Sequence, residues 1–395
     1  MLNNIILHTI GKSVLFGGQA MDNSFQEIKT FFGFGCMRLP MIDKEVDIEQ
    51  FKDMVDYFID NGFNYFDTAH GYIDGKSEKA IKVAISDRYP REKFLLTNKL
   101  SDSYFHKEED IRPFFQSQLE ACGVEYFDFY LMHAQNARNF EQYKECRAYE
   151  TAFELKKEGK IRHVGLSFHD SAEVLDKILT TYPDVEIVQI QFNYLDYEDP
   201  GVQSRKCYEV CRKHGKPMIV MEPVKGGTLV NLPNEAQAVF DELGSGLSNA
   251  GYAIKFAASQ EGIRIVLSGM SDMAQMKDNV SFMKDFKPLS EQEFAAIDKV
   301  VAIAKEVKAV PCTACHYCVE QSHCPMNIKI PEIFKAYNMY KAFKDNSQKW
   351  RYNAFITSGD QGKASACIEC GACESVCPQH IEIRNCLKEV AKEFE

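Results

Sequence analysis

Between residues 32 and 308 the hydrophobic positions alternate between two patterns: a short apolar run of strand character, then a longer segment with apolar residues at helical spacing. The first unit is FFGFGCMR followed by Phe51, Met54, Val55, Phe58 and Ile59, the i, i+3, i+4, i+7, i+8 stripe of a helix that buries one face. Asn61 and Gly62 end that helix. NYFDTA, FLLTNKL, FDFYLMH, IRHVGLSF, IVQIQFN, PMIVMEP and IRIVLSG continue as strands. Between them the pattern predicts helices from Ser77, ending before Gly123, running long through Lys157, capped by Asp170 and Ser171, crossing Cys207, spanning Ala250 to Ser259, and starting at Asp272. Eight near-continuous apolar strands separated by helices imply an α/β fold with a parallel sheet buried on both faces, which closes into a (β/α)8 TIM barrel. A doubly wound sheet is the alternative, but it usually carries a glycine-rich phosphate loop after its first strand, and GFGCMRLP does not fit GxGxxG.

The alternation stops near Lys308, which divides the chain into three parts. Residues 1–31 form an N-terminal extension or edge strands, with Met21 a possible second start; 32–308 is the barrel; 309–395 is a small, mainly helical domain. The opening residues lack a basic start, and Lys12 interrupts the apolar run an export signal needs, so the expected location is cytoplasmic. No run approaches the ~18 apolar residues of a membrane span, so no membrane is expected. A formal charge of -11 argues against nucleic acid as a partner and leaves small molecules or a redox partner protein.

Fourteen cysteines change the picture, because eight of them fall in two tight groups. VPCTACHYCVEQSHCPMNIKIP carries Cys312, Cys315, Cys318 and Cys324; ACIECGACESVCPQH carries Cys367, Cys370, Cys373 and Cys377. In a cytosolic chain such spacing favours metal over disulfides. The second group matches the CxxCxxCxxxCP run of bacterial two-cluster ferredoxins, and the first is a looser version. By that resemblance Cys312, Cys315, Cys318 and Cys377 hold one 4Fe-4S cluster, and Cys324, Cys367, Cys370 and Cys373 the other, in a ferredoxin-like domain. Zinc on paired CxxC units is the competing reading.

Candidate chemistry in the larger part lies at strand ends, where a TIM barrel builds its sites. Asp67 follows NYF, Lys99 lies at the end of FLLTNKL, His133 closes FDFYLMH, and Tyr72 is five residues past Asp67. This set suits proton transfer to a carbonyl oxygen during hydride delivery: Tyr72 the acid, Lys99 the ammonium that stabilises its phenolate, Asp67 the anchor of Lys99, and His133 a hydrogen bond to the substrate oxygen.

DTAHGY, TNKL, YLMHA and GKIRHVGLSF resemble the aldo-keto reductase family, and with the cysteine tail the chain is similar to that family's iron-sulfur branch. The resemblance implies that Asp67, Tyr72, Lys99 and His133 are catalytic, that the cofactor is NAD(P)H, and that the substrate is a small carbonyl or alcohol. It implies that Ser167 and Gln189 hold the nicotinamide carboxamide and that Asp278 and Asn279 grip the adenine. Phe168 stands where most members have asparagine, and Met221 where many stack a tyrosine. Gly269 and Gln275 stand where NADPH-preferring members place Lys and Arg. Lys225 is expected either to contact the pyrophosphate or to be solvated. The loops Ser101 to Lys107, Gln135 to Phe140 and Asp196 to Val202 are expected to set specificity, with Tyr104, Phe105, Phe140 and Tyr197 lining the pocket or filling loop cores. The expected host is anaerobic or microaerobic. The alternative is an electron-transfer protein whose barrel docks a redox partner or binds a flavin, although no flavin motif is present.

Overall fold

The computed structural model describes residues 25–199, 202–306, 310–343 and 347–395. Eight parallel strands form a closed barrel: β1 (Phe32–Gly35), β2 (Tyr65–Asp67), β3 (Leu95–Leu100), β4 (Phe127–Gln135), β5 (Ile161–Phe168), β6 (Ile187–Gln191), β7 (Met218–Met221) and β8 (Ile263–Ser268). Each pairs with its chain neighbour, and β8 returns to β1 through Phe34 opposite Ser268. The barrel expected from the alternation is therefore the fold. Its register aligns Asp67 with Gly35 and Thr97, and Ser167 with Gln189, so the polar strand ends share one rim.

The first helix, α1 (Ile48–Asp60), buries Phe51, Met54, Val55 and Phe58, and the Asp47 carboxylate accepts from the Gln50 amide to cap it. Two local expectations need correction. The long helix through Lys157 is two helices, Phe140–Glu145 and Ala148–Lys157, because Arg147 adopts φ +53° between them. The helix near Ser77 starts at Lys76 and passes at Ile81 into a π turn, Lys82–Ser86. Met41–Ile42 and Glu45–Val46 add a small antiparallel hairpin outside the alternation.

At the N-terminal ends of the strands, residues 25–31 fold under the barrel. Ile28 N donates to Phe25 O at 3.0 Å, a turn and not an edge strand; residues 1–24, where the rest of that expectation falls, lie outside the described residues. Phe25 and Ile28 pack into a buried cluster with Tyr65, Phe129, Leu131 and Ile187, which point inward from the strands.

The tail has its own core, in which Val310, Ile333, Phe334, Tyr352, Leu387 and Val390 are buried, mostly from the helices Ile330–Phe343 and Ile383–Phe394. The expected boundary falls on residues 307–309, outside the described residues; the helix Glu291–Glu306 precedes it and the tail core begins at Val310. The tail rests on the opposite, C-terminal end of the barrel. The buried Gln191 and Gln379 side chains exchange amide hydrogen bonds of 2.7 and 2.6 Å, and Arg38 Nη2 donates to Thr313 O at 3.0 Å. Gly226, at φ +61°, permits this seat: a Cβ there would lie 2.2 Å from Thr313 O. Among the described residues no helix is long and apolar enough to cross a membrane.

Candidate functional site

Between barrel rim and tail lies a cavity of about 1930 Å3. Single-ligand pockets run to about 300 to 1000 Å3, so this one has room for two molecules side by side. Asp67, Tyr72, His133, Ser167, Gln189, Met221, Gly269, Gln275, Asp278 and Asn279 all line it from the barrel side.

At its base Lys99 Nζ lies 2.7 Å from Asp67 Oδ1, 2.8 Å from Thr68 O and 3.2 Å from Tyr72 OH. The Lys99 side chain is fully buried and that of Asp67 is 4% exposed. Burial raises the Asp67 carboxyl and lowers the Lys99 ammonium, and each charge is the main influence holding the other ionised. Gln189 Nε2 donates to the second Asp67 oxygen at 3.1 Å, which fixes the carboxylate at both ends. Burial, reinforced by the Asp67 charge, pushes the Tyr72 phenol well above its ordinary range. Tyr72 therefore holds its proton, with the Lys99 ammonium donating to its oxygen at 3.2 Å. His133 lies beside Tyr72, ring centroids 6.2 Å apart, with Nδ1 2.6 Å from Ser101 Oγ. Burial first, then Lys99 and His169, hold His133 well below the usual imidazole range, so it is neutral. The result is a proton donor and a neutral hydrogen-bonding ring side by side in one cavity.

The remaining predicted residues divide. Ser167 Oγ accepts from Ala134 N at 2.8 Å, Asp278 accepts from Ser248 Oγ at 2.7 Å, and Asn279 Nδ2 donates to Ser268 Oγ at 2.8 Å. Gln275 bonds Asp272 and the Ser271 amide, and Gly269 adds no charge. Lys225 is a correction to both of its expected roles. It is neither solvated nor in the cavity lining, but buried, with its ammonium bonded to Asp196. Of the loop aromatics, Tyr104 lines the cavity, whereas Phe105, Phe140 and Tyr197 belong to the barrel core.

In the tail, Cys312, Cys315, Cys318 and Cys377 line one small cavity and Cys324, Cys367, Cys370 and Cys373 another, the two quartets of the ferredoxin pattern. Left-handed backbone at Ala314, His316 and Glu369 curls each cysteine loop around its cavity. Four soft thiol donors around a shared space fit an iron-sulfur cluster.

Several cavity residues were not foreseen. Arg38, 3.7 Å from Glu222, lines the barrel side, and Tyr317, Gln379 and His380 line the tail side. CHYC shows an aromatic between two cysteines, but nothing in the sequence says which way the loop faces.

Fold and site together define an oxidoreductase barrel fused to an iron-sulfur domain. The chain belongs to the Aldo/keto reductase family, whose model matches residues 32–302, and residues 311–382 match a 4Fe-4S dicluster domain. A similar curated protein is the NADH-specific methylglyoxal reductase of Escherichia coli, 28% identical over 185 residues; the match spans 42% of this chain and 54% of that relative. The NAD(P)H-dependent D-xylose reductase of Scheffersomyces stipitis is 26% identical over 305 residues, spanning 68% of this chain and 89% of its own. Among solved structures, the holo form of an aldo-keto reductase from Bacillus halodurans superposes with TM-score 0.57 at 22% identity, covering 69% of this chain and 92% of its own. At that identity the likeness speaks for the barrel alone.

Proposed function

We propose that the protein transfers a hydride between NAD(P)H and a small carbonyl or alcohol, with Tyr72 as general acid and base, and that it does so in the cytoplasm. The observation that carries this is the placement of Lys99 Nζ between Asp67 and Tyr72, at 2.7 and 3.2 Å, in a cavity large enough for dinucleotide and substrate. When bound, the nicotinamide supplies or accepts the hydride. Tyr72 gives its proton to the carbonyl oxygen in reduction, consistent with a phenol that stays protonated at neutral pH. His133 donates a hydrogen bond to the same oxygen and fixes its approach. Asp67 and Gln189 hold Lys99, and Lys99 holds the Tyr72 hydroxyl in place. Ser167, Gln189 and Met221 are assigned to the nicotinamide end, and Gly269, Gln275, Asp278 and Asn279 to the adenine end.

Each cysteine quartet holds one 4Fe-4S cluster in this reading, and the clusters brace the tail over the cavity. One observation favours a second reading, an electron port to a partner or a bound flavin: Cys315 and Cys377 line the cavity itself.

Cofactor choice tests the first reading. With Gly269 and Gln275 at the expected phosphate position and Lys225 committed to Asp196, few cations face a 2'-phosphate. Each missing charge-assisted bond is worth ~1.5 to 3 kcal/mol. Dissociation constants for NADH and NADPH, measured without oxygen, should differ by well under a hundredfold; binding of neither would refute hydride transfer.

A further inference from the structure

The tail side of the cavity is walled by the loop that carries Cys312, Cys315 and Cys318. Thr313, Ala314, Cys315, His316 and Tyr317 line it together with Tyr72 and His133. Three contacts hold the tail there: Arg38 Nη2 to Thr313 O, the Gln191–Gln379 amide pair, and the close seat of Thr313 O over Gly226. Tyr317, between Cys315 and Cys318, opens the short helix Tyr317–Glu320 and lines the same cavity as Tyr72. A second observation on the barrel side points to an unmet polar contact. His169 lines the same cavity, and its Nδ1 is buried without a hydrogen-bond partner.

A lone carbonyl oxygen is fully served by Tyr72 and His133, so further polar groups facing the cavity call for a second polar atom on the substrate. We propose that Tyr317, carried by the iron-sulfur loop, is a specificity-determining residue. Its hydroxyl binds a second oxygen on the substrate, and the chain takes oxygenated carbonyl compounds such as hydroxyketones over plain ones. This rests on the reading of the cavity as a carbonyl site, and it gives the cysteine loop a direct part in substrate choice. His169 adds a polar group to the same cavity from the barrel.

The test uses the full chain, purified without oxygen, with no nicotinamide added so that neither probe is reduced or oxidised. Hydroxyacetone and butanone are the probes: nearly the same shape, differing by a hydroxyl in place of a methyl. Their dissociation constants are measured by calorimetry for the wild type and for Tyr317→Phe. The wild type should prefer hydroxyacetone, and the variant should lose roughly 2- to 10-fold of that preference, the worth of one neutral hydrogen bond. The iron-sulfur absorbance of the two proteins should be the same. No preference in the wild type, or an unchanged preference in Tyr317→Phe, overturns the proposal. A drop in preference accompanied by loss of cluster absorbance also overturns it, since the effect would then come from a collapsed tail. If the binding preference behaves as expected but neither probe is turned over with reduced nicotinamide, the hydride reading fails while Tyr317 keeps its role.

Discussion

The two ends of the barrel are bounded in different ways. The floor is sealed from within the same domain by Phe25 and Ile28, against inward-pointing Tyr65, Phe129, Leu131 and Ile187. Among its polar members His163 bridges Glu27 at 2.7 Å and Glu186 at 2.9 Å, while Asn64 donates to Glu27 O at 3.1 Å and leaves its own side-chain oxygen buried without a partner. The mouth is walled on one side by a separate, metal-binding type of domain. There the polar groups keep spare capacity: Glu222 Oε2 and His169 Nδ1 are buried without partners, and Tyr72 holds a proton it can give. Both ends leave a buried polar atom unpaired, and what sets the mouth apart is that His169 and Glu222 line a cavity a ligand can enter.

The largest expected effect breaks the mouth and spares everything else. Tyr72→Phe removes a proton donor and almost no packing, so carbonyl reduction should fall by ~100- to 10,000-fold while dinucleotide affinity and melting temperature hold. Steady-state rates under conditions where chemistry is limiting check this. A fall of less than about threefold would remove Tyr72 from the role of acid.

The corresponding change at the floor should do the opposite. Phe25 is 7% exposed and packs against Phe129 and His163, ring centroids 5.5 and 4.6 Å away. Phe25→Ala should cost about 3 to 5 kcal/mol by leaving a cavity, read as a lower denaturation midpoint, with KM for the best substrate unchanged. A change in KM without a change in stability would mean that the two ends are not separable in the way described.

A smaller effect sharpens the floor further. Burial opposes ionisation of Glu186, but hydrogen bonds from His163, Lys156 and the Val164 amide outweigh it and hold the carboxyl at about 2. A carboxyl held lower in the folded than in the unfolded chain stabilises fully above its ordinary value and loses that contribution as pH falls. Stability should therefore drop between pH 4.5 and about 2, and Glu186→Gln should flatten that drop by about 1 kcal/mol, since the side chain is partly exposed. An unchanged acid limb in urea titrations would place the acid sensitivity elsewhere.

What was legible in the sequence follows the same division. Strand and helix periodicity gave the barrel, because a parallel sheet buried on both faces leaves long apolar runs that few other arrangements tolerate. Asp67, Tyr72, Lys99 and His133 were visible because polar residues at strand ends are conspicuous against those runs. The two cysteine quartets were visible because ligand spacing is local. Lys225 was misplaced because its partner Asp196, 29 residues earlier, is brought to it by the fold alone. The break at Arg147 was missed because its left-handed backbone has no composition cue there. Tyr317, Gln379 and Thr313 were missed because docking between two domains depends on shapes that neither domain's pattern encodes.

The central claim is that the iron-sulfur tail serves the mouth as a wall and not as a wire, although Cys315 and Cys377 border the cavity. A nicotinamide moves two electrons as hydride, whereas a 4Fe-4S cluster passes one at a time, and this chain shows no flavin motif to convert between them. The direct measurement is electron paramagnetic resonance of the anaerobic full chain, frozen at intervals after NADH or NADPH is added, with and without substrate. The account predicts that product accumulates while the cluster signals stay as they were. Cluster reduction at the rate of turnover, with no flavin or partner protein added, would contradict it.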